Sequence, residues 1–94
     1  MKLFATYPSG IVIDFDDAYE PVHGLAFPIM SNLGIKGTTH VITSRVGNAG
    51  YMTEPELQNL KSSGWTVDSH TMTHPNLSTL DEAGQLAEIQ GAQN

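Results

Sequence analysis

The apolar positions of this chain fall into short continuous runs and stripes at helical spacing. Gly10-Ile11-Val12-Ile13 is a continuous apolar run that ends at acidic residues, which predicts a buried strand. Val22, Leu25, Ala26, Ile29, Met30 and Leu33 recur at three- and four-residue intervals. They predict a helix with that stripe inward and Gly34 as its stop. Pro28 lies inside the pattern, so the helix should kink or restart there. Thr38 to Ser44 is rich in β-branched residues and predicts a second strand. Thr53-Glu54-Pro55-Glu56 predicts a capping box, with Leu57 and Leu60 facing inward behind it and Gly64 closing the helix. Trp65 to Ser69 predicts a third strand. Thr79-Leu80-Asp81-Glu82 repeats the capping-box pattern and predicts a last helix with Leu80, Ala83, Leu86 and Ile89 inward.

Strand and helix thus alternate three times. That order implies an α/β fold with a parallel sheet and right-handed crossovers. About three βα units fit a small open sheet or part of a barrel. In either case the chemistry belongs at the carboxyl ends of the strands.

Composition narrows the function classes. The 94 residues suffice for one small domain. With 39% hydrophobic and 15% charged residues, the chain is too apolar for a disordered tail. A net charge of −6 argues against nucleic acid and against an anionic membrane surface as partners. With no cysteine, any metal must be held by histidine and carboxylate. No run is long enough to span a membrane. Met1 to Pro8 lacks the apolar stretch of a signal peptide, so an export signal is not expected in this chain.

Two polar clusters follow predicted strands. Asp14-Phe15-Asp16-Asp17 ends the first, and His70-Thr71-Met72-Thr73-His74-Pro75 ends the third. Three carboxylates within four residues repel one another unless a cation offsets them. One aspartate after a strand is more often a solvated turn residue; facing a histidine pair, that reading weakens. A His-x-x-x-His spacing lets two imidazoles converge on one ion at about 2.0–2.1 Å. With Asp17 they form a two-histidine, one-carboxylate set that leaves positions open for water and substrate. A zinc protease would carry Glu after the first histidine; Thr71 stands there instead.

These segments resemble two motifs of the polysaccharide deacetylase family (the NodB-homology domain). Ile13-Asp14-Phe15-Asp16-Asp17-Ala18-Tyr19 resembles the family's Thr-Phe-Asp-Asp-Gly motif. Asp68-Ser69-His70-Thr71-Met72-Thr73-His74-Pro75-Asn76-Leu77 resembles its His-Ser/Thr-x-x-His-Pro motif. Gly50-Tyr51-Met52-Thr53 and Ser63-Gly64-Trp65 fit the stretch between them. The resemblance covers about residues 10–94. It implies a distorted (β/α) barrel and a hydrolase that removes N- or O-acetyl groups from polysaccharides such as chitin, peptidoglycan or xylan. By the same resemblance, Asp16 is the general base on the attacking water, and Asp17, His70 and His74 hold a divalent metal. Zinc is the expected metal, with cobalt, nickel and manganese as alternatives. Thr71 would support the histidine loop. The family's usual work is extracellular or at the cell envelope.

Departures from the motif are informative too. Asp14 replaces Thr, and strand alternation aims it to the same side as Asp16. Ala18 stands where Gly is usual, so that turn must tolerate a Cβ. His40 replaces an aromatic and is read as a packing residue. The family's later motifs, which would supply an Arg behind the base, a groove wall and a second catalytic His, have no match here. Residues 1–94 are therefore expected to form a single truncated domain: a partial barrel completed by a second chain or segment. A non-catalytic metal- or carbohydrate-binding piece is one alternative. The other is a phosphatase of the haloacid dehalogenase type, with Asp14 as nucleophile, Asp16 as acid and Thr43 or Ser44 on phosphate. It leaves His70 and His74 unexplained.

Overall fold

The computed structural model describes residues 10–93. The expectation about Met1 to Pro8 lies outside them. Three parallel strands form one sheet in the order β1 (Asp14–Asp16), β2 (Thr38–Val41), β3 (Thr66–Ser69). Helices join them. A π-helical turn, Val22–Ala26, runs into α1 (Phe27–Asn32) between β1 and β2; α2 (Glu54–Ser62) joins β2 to β3. After β3 come a 3₁₀ turn, Leu77–Thr79, and α3 (Glu82–Gly91). The parallel βα pattern is the expected one and matches a partial (β/α) barrel.

The first strand lies later than its apolar run predicts. Ile11 and Val12 are 91% and 81% exposed, and pairing begins only at Asp14. β1 is an edge strand, so nothing among the described residues covers the run that precedes it. The second strand stops at Val41, and Thr43–Arg45 turn as a 3₁₀ helix. The first helix restarts at Pro28, which occupies its first turn, where a missing N–H costs nothing. Before it, the π turn closes with Phe27 N–H on Val22 O, adding a residue and shifting the helical phase. Val22 and Met30 are buried, but Leu25, Ile29 and Leu33 are 65%, 61% and 67% exposed. Half of the predicted inward stripe therefore faces out.

The chain ends of the helices obey simple hydrogen-bond rules. Thr53 and Glu56 form the predicted capping box. Gly64, at φ +94°, lets Trp65 N–H reach Leu60 O and Gly64 N–H reach Lys61 O. Gly34, at φ +70°, repeats this with Ile35 on Met30 and Gly34 on Ser31. The last helix departs from expectation. Asp81, not Thr79, caps it by accepting from Gly84 N–H at 2.8 Å. Leu86 and Ile89 are about half exposed, Ala83 is exposed, and the buried residue is Glu88.

The core lies between the sheet and the first two helical segments: Val22, Met30, Val41, Met52, Leu57, Leu60 and Trp65. Trp65 stacks on Phe15 and meets Phe27 edge-on, each ring centre 5.9 Å away. Gly37 is required beside it, because a Cβ there would fall 2.8 Å from the indole ring. With Phe15 and Val41 turned to this core, Asp14, Asp16 and His40 occupy the opposite face of the sheet.

Candidate metal centre

Asp17 follows β1 in a turn of two left-handed residues, Asp17 at φ +75° and Ala18 at φ +58°. Ala18 thus does tolerate its Cβ in the conformation that favours glycine, at a cost of order 1–3 kcal/mol per such residue. Neighbouring bonds hold the turn: Met52 N–H donates to Ala18 O, and Glu20 N–H to Gly50 O. The rings of Tyr19 and Tyr51 stack at 5.0 Å above it. Tyr51 and the Asp17 carboxylate hold the Tyr19 phenol above its ordinary pKa of 10.0, the Tyr51 hydrogen bond first.

His70 leaves β3 with its N–H on Val41 O at 2.8 Å. The loop then contains two more left-handed non-glycine residues, Thr71 at φ +63° and His74 at φ +65°. Thr71 Oγ1 donates to His70 O at 2.6 Å and accepts His74 N–H at 3.1 Å, closing the loop on itself. Thr43 and Ser44 donate backbone N–H bonds to Thr71 O and Met72 O. They serve the histidine loop by main chain.

The two turns meet. Asp17 Oδ1 lies 3.4 Å from His70 Nε2 and 3.6 Å from His74 Nε2. The imidazole centres are 4.8 Å apart. Asp17 Oδ1 is buried and has no hydrogen-bond partner among the described residues. A buried carboxylate oxygen without a partner is costly. A cation between it and two imidazoles would satisfy all three, so the donor set fits the metal the motifs imply. Asp16, by contrast, is exposed at the end of β1 and stands in register with His40. Asp14 pairs with His40 at 3.3 Å, and the His40 ring lies 6.3 Å from that of His70. Two of the departures from the motif pattern, Asp14 and His40, are therefore partners of each other.

Glu20, His23 and Glu56 also bring ligand atoms within 4.8 Å. Two of these groups are already used: Glu56 Oε1 takes the Thr53 N–H of the capping box, and His23 bridges Glu56 and Asn59 at 3.2 and 3.0 Å. This cluster ties the first helical segment to α2.

One residue escaped the apolar pattern. The Glu88 carboxylate accepts Met72 N–H at 3.0 Å, Thr73 N–H at 2.8 Å and the Thr73 hydroxyl at 2.6 Å. These bonds, the Thr73 hydroxyl first, hold Glu88 below the ordinary carboxylate pKa. Gln85 on the same helix face donates to Leu77 O and Leu80 O. The loop presents backbone polar groups to α3, so α3 turns a polar stripe toward it. The legible signal was the small and polar series Gly84, Gln85, Glu88, Gly91, Ala92.

Comparison with known proteins places this geometry. Residues 5–94 match the family model described as polysaccharide deacetylase. YxkH of Bacillus subtilis (strain 168), assigned by name to the polysaccharide deacetylases, is 29% identical over 79 residues, or 84% of this chain and 28% of that protein. The structure of the Streptococcus pyogenes deacetylase PplD in complex with acetate is similar at a TM-score of 0.87 and 26% identity, covering 97% of this chain and 42% of that one. A polysaccharide deacetylase from Bacillus cereus gives 0.78 and 26%, covering 87% and 27%. The chain thus spans less than half the length of each of these relatives.

Proposed function

Because this chain belongs to the polysaccharide deacetylase family, we propose that it is the metal-holding part of a deacetylase domain that hydrolyses acetyl groups on N- or O-acetylated polysaccharide. Asp17, His70 and His74 are the proposed ligands, and zinc is the first candidate metal. The observation that carries this is the buried, unpartnered Asp17 Oδ1 facing two imidazole nitrogens. When bound there, a divalent ion would supply Lewis acidity, polarising a carbonyl and lowering the pKa of water so that it can give up a proton near neutral pH.

The chain's own residues do the rest. Asp16 is exposed beside the ligand turn and is the proposed acceptor of the attacking water's proton. Thr71 fixes the spacing of His70 and His74 through its two bonds. Polymers of chitin, peptidoglycan or xylan type are the proposed substrates, and such substrates support work at the cell envelope or outside the cell. The haloacid dehalogenase reading finds no counterpart in the matched family, and Asp14 is engaged with His40.

Metal analysis of the purified chain is the test. Uptake of zinc, cobalt, nickel or manganese at micromolar concentration supports the reading, and uptake of none defeats it. A second reading is a metal- or carbohydrate-binding piece without turnover. Acetate release from acetylated chito-oligosaccharides by the metal-loaded chain separates the two.

A further inference from the structure

The histidine loop holds itself in an unfavourable shape. Thr71 and His74 are both left-handed without being glycine, and they bracket Met72 and Thr73. Such conformations persist only where surrounding bonds over-determine them. Main-chain bonds from Thr43 and Ser44 hold one side of the loop. On the other side, the Met72 and Thr73 N–H groups and the Thr73 hydroxyl all end on one buried carboxylate, Glu88. Bonds to an ionised acceptor are shorter and stronger than neutral ones. Gly91, one turn further on α3, leaves room for the Met72 side chain, whose sulfur would lie 2.8 Å from an added Cβ. The loop therefore docks on α3 at two points, both between the two histidines.

We infer that Glu88 is a positioning residue for the metal centre: its carboxylate, through Met72 and Thr73, sets the spacing and aim of His70 and His74. This rests on the metal reading above. Partners that orient ligands without touching the metal change affinity by about 10–100-fold when removed.

Cobalt(II) titration of the full chain, followed by visible absorption, tests it. Glu88→Ala is expected to weaken cobalt binding by about 10–100-fold. Glu88→Gln keeps an acceptor for the two N–H groups and should stay within about fivefold of wild type. A residue that only stabilises the fold would lower the melting temperature and leave affinity unchanged. Wild-type affinity in a folded Glu88→Ala chain overturns the inference. If Glu88→Ala does not fold, Thr73→Val decides. It removes one of the three bonds and is expected to cost about three- to tenfold in affinity; unchanged affinity overturns the inference equally. Failure of the wild-type chain to bind cobalt or zinc defeats instead the metal assignment on which it rests.

Discussion

At the scale of single residues, Asp16 and Asp17 are neighbours in sequence with different surroundings. Asp17 Oδ1 is buried against two imidazoles, whereas Asp16 is exposed in register with His40. Asp17→Asn or His74→Ala is therefore expected to abolish metal uptake, read by atomic emission on the purified chain. Asp16→Asn is expected to retain metal and to lower any acetate release by about 10²–10⁴-fold, the usual worth of a general base. Thr71 predicts a third outcome. Thr71→Val loses both bonds that close the loop and should weaken metal binding while leaving the helices, read by far-ultraviolet circular dichroism, intact.

At the scale of elements, helix ends and one close contact invite quantitative tests. Thr53→Ala removes the cap of α2 and is expected to cost about 1 kcal/mol in denaturant unfolding. Gly37→Ala drives a methyl into an indole wedged between Phe15 and Phe27, and overpacking of this kind costs about 1–3 kcal/mol. These features were legible because capping boxes and glycine stops act through local spacing. The meeting of Asp17, His70 and His74 was legible for a different reason: all three follow strands, and a parallel sheet brings strand ends together. In α2, Leu57 and Leu60 are buried as the pattern predicts; what could not be read was which stripe α1 and α3 turn inward. In α1 the π turn shifted the phase, leaving Leu25, Ile29 and Leu33 outside. In α3 the apolar stripe was the wrong one, because the neighbour is a loop offering N–H groups rather than an apolar sheet face. Glu88 went unread for that reason.

At the scale of the whole molecule, charge and apolar surface set the behaviour in solution. Glu56 and Glu88 both titrate below the ordinary 4.5, Glu56 chiefly through the Thr53 N–H and Glu88 chiefly through the Thr73 hydroxyl. A depressed carboxyl pKa stabilises the fold above the ordinary value, and that stability is lost as pH falls through the folded value. The denaturant midpoint should therefore hold steady from about pH 7 to about pH 5 and fall below that. Repeating the series with Glu56→Gln and Glu88→Gln should flatten the acid limb. A groove of about 560 Å³ is lined by Phe15, Tyr19, Val22, Leu25, Ala26 and Ile29. An apolar dye should bind there and brighten, and Leu25→Glu with Ile29→Glu should quench most of that signal.

The bond from Glu88 to the histidine loop also bears on the order in which the molecule assembles. Asp17, His70 and His74 are all in place along the chain before Glu88 is reached, and Glu88 meets Thr73 across 15 residues. A growing or shortened chain that stopped at Leu80 would hold every proposed ligand and still lack the strut proposed to aim two of them. Tight metal capture should thus arrive late in folding, with the docking of α3, and not when the third ligand joins the chain.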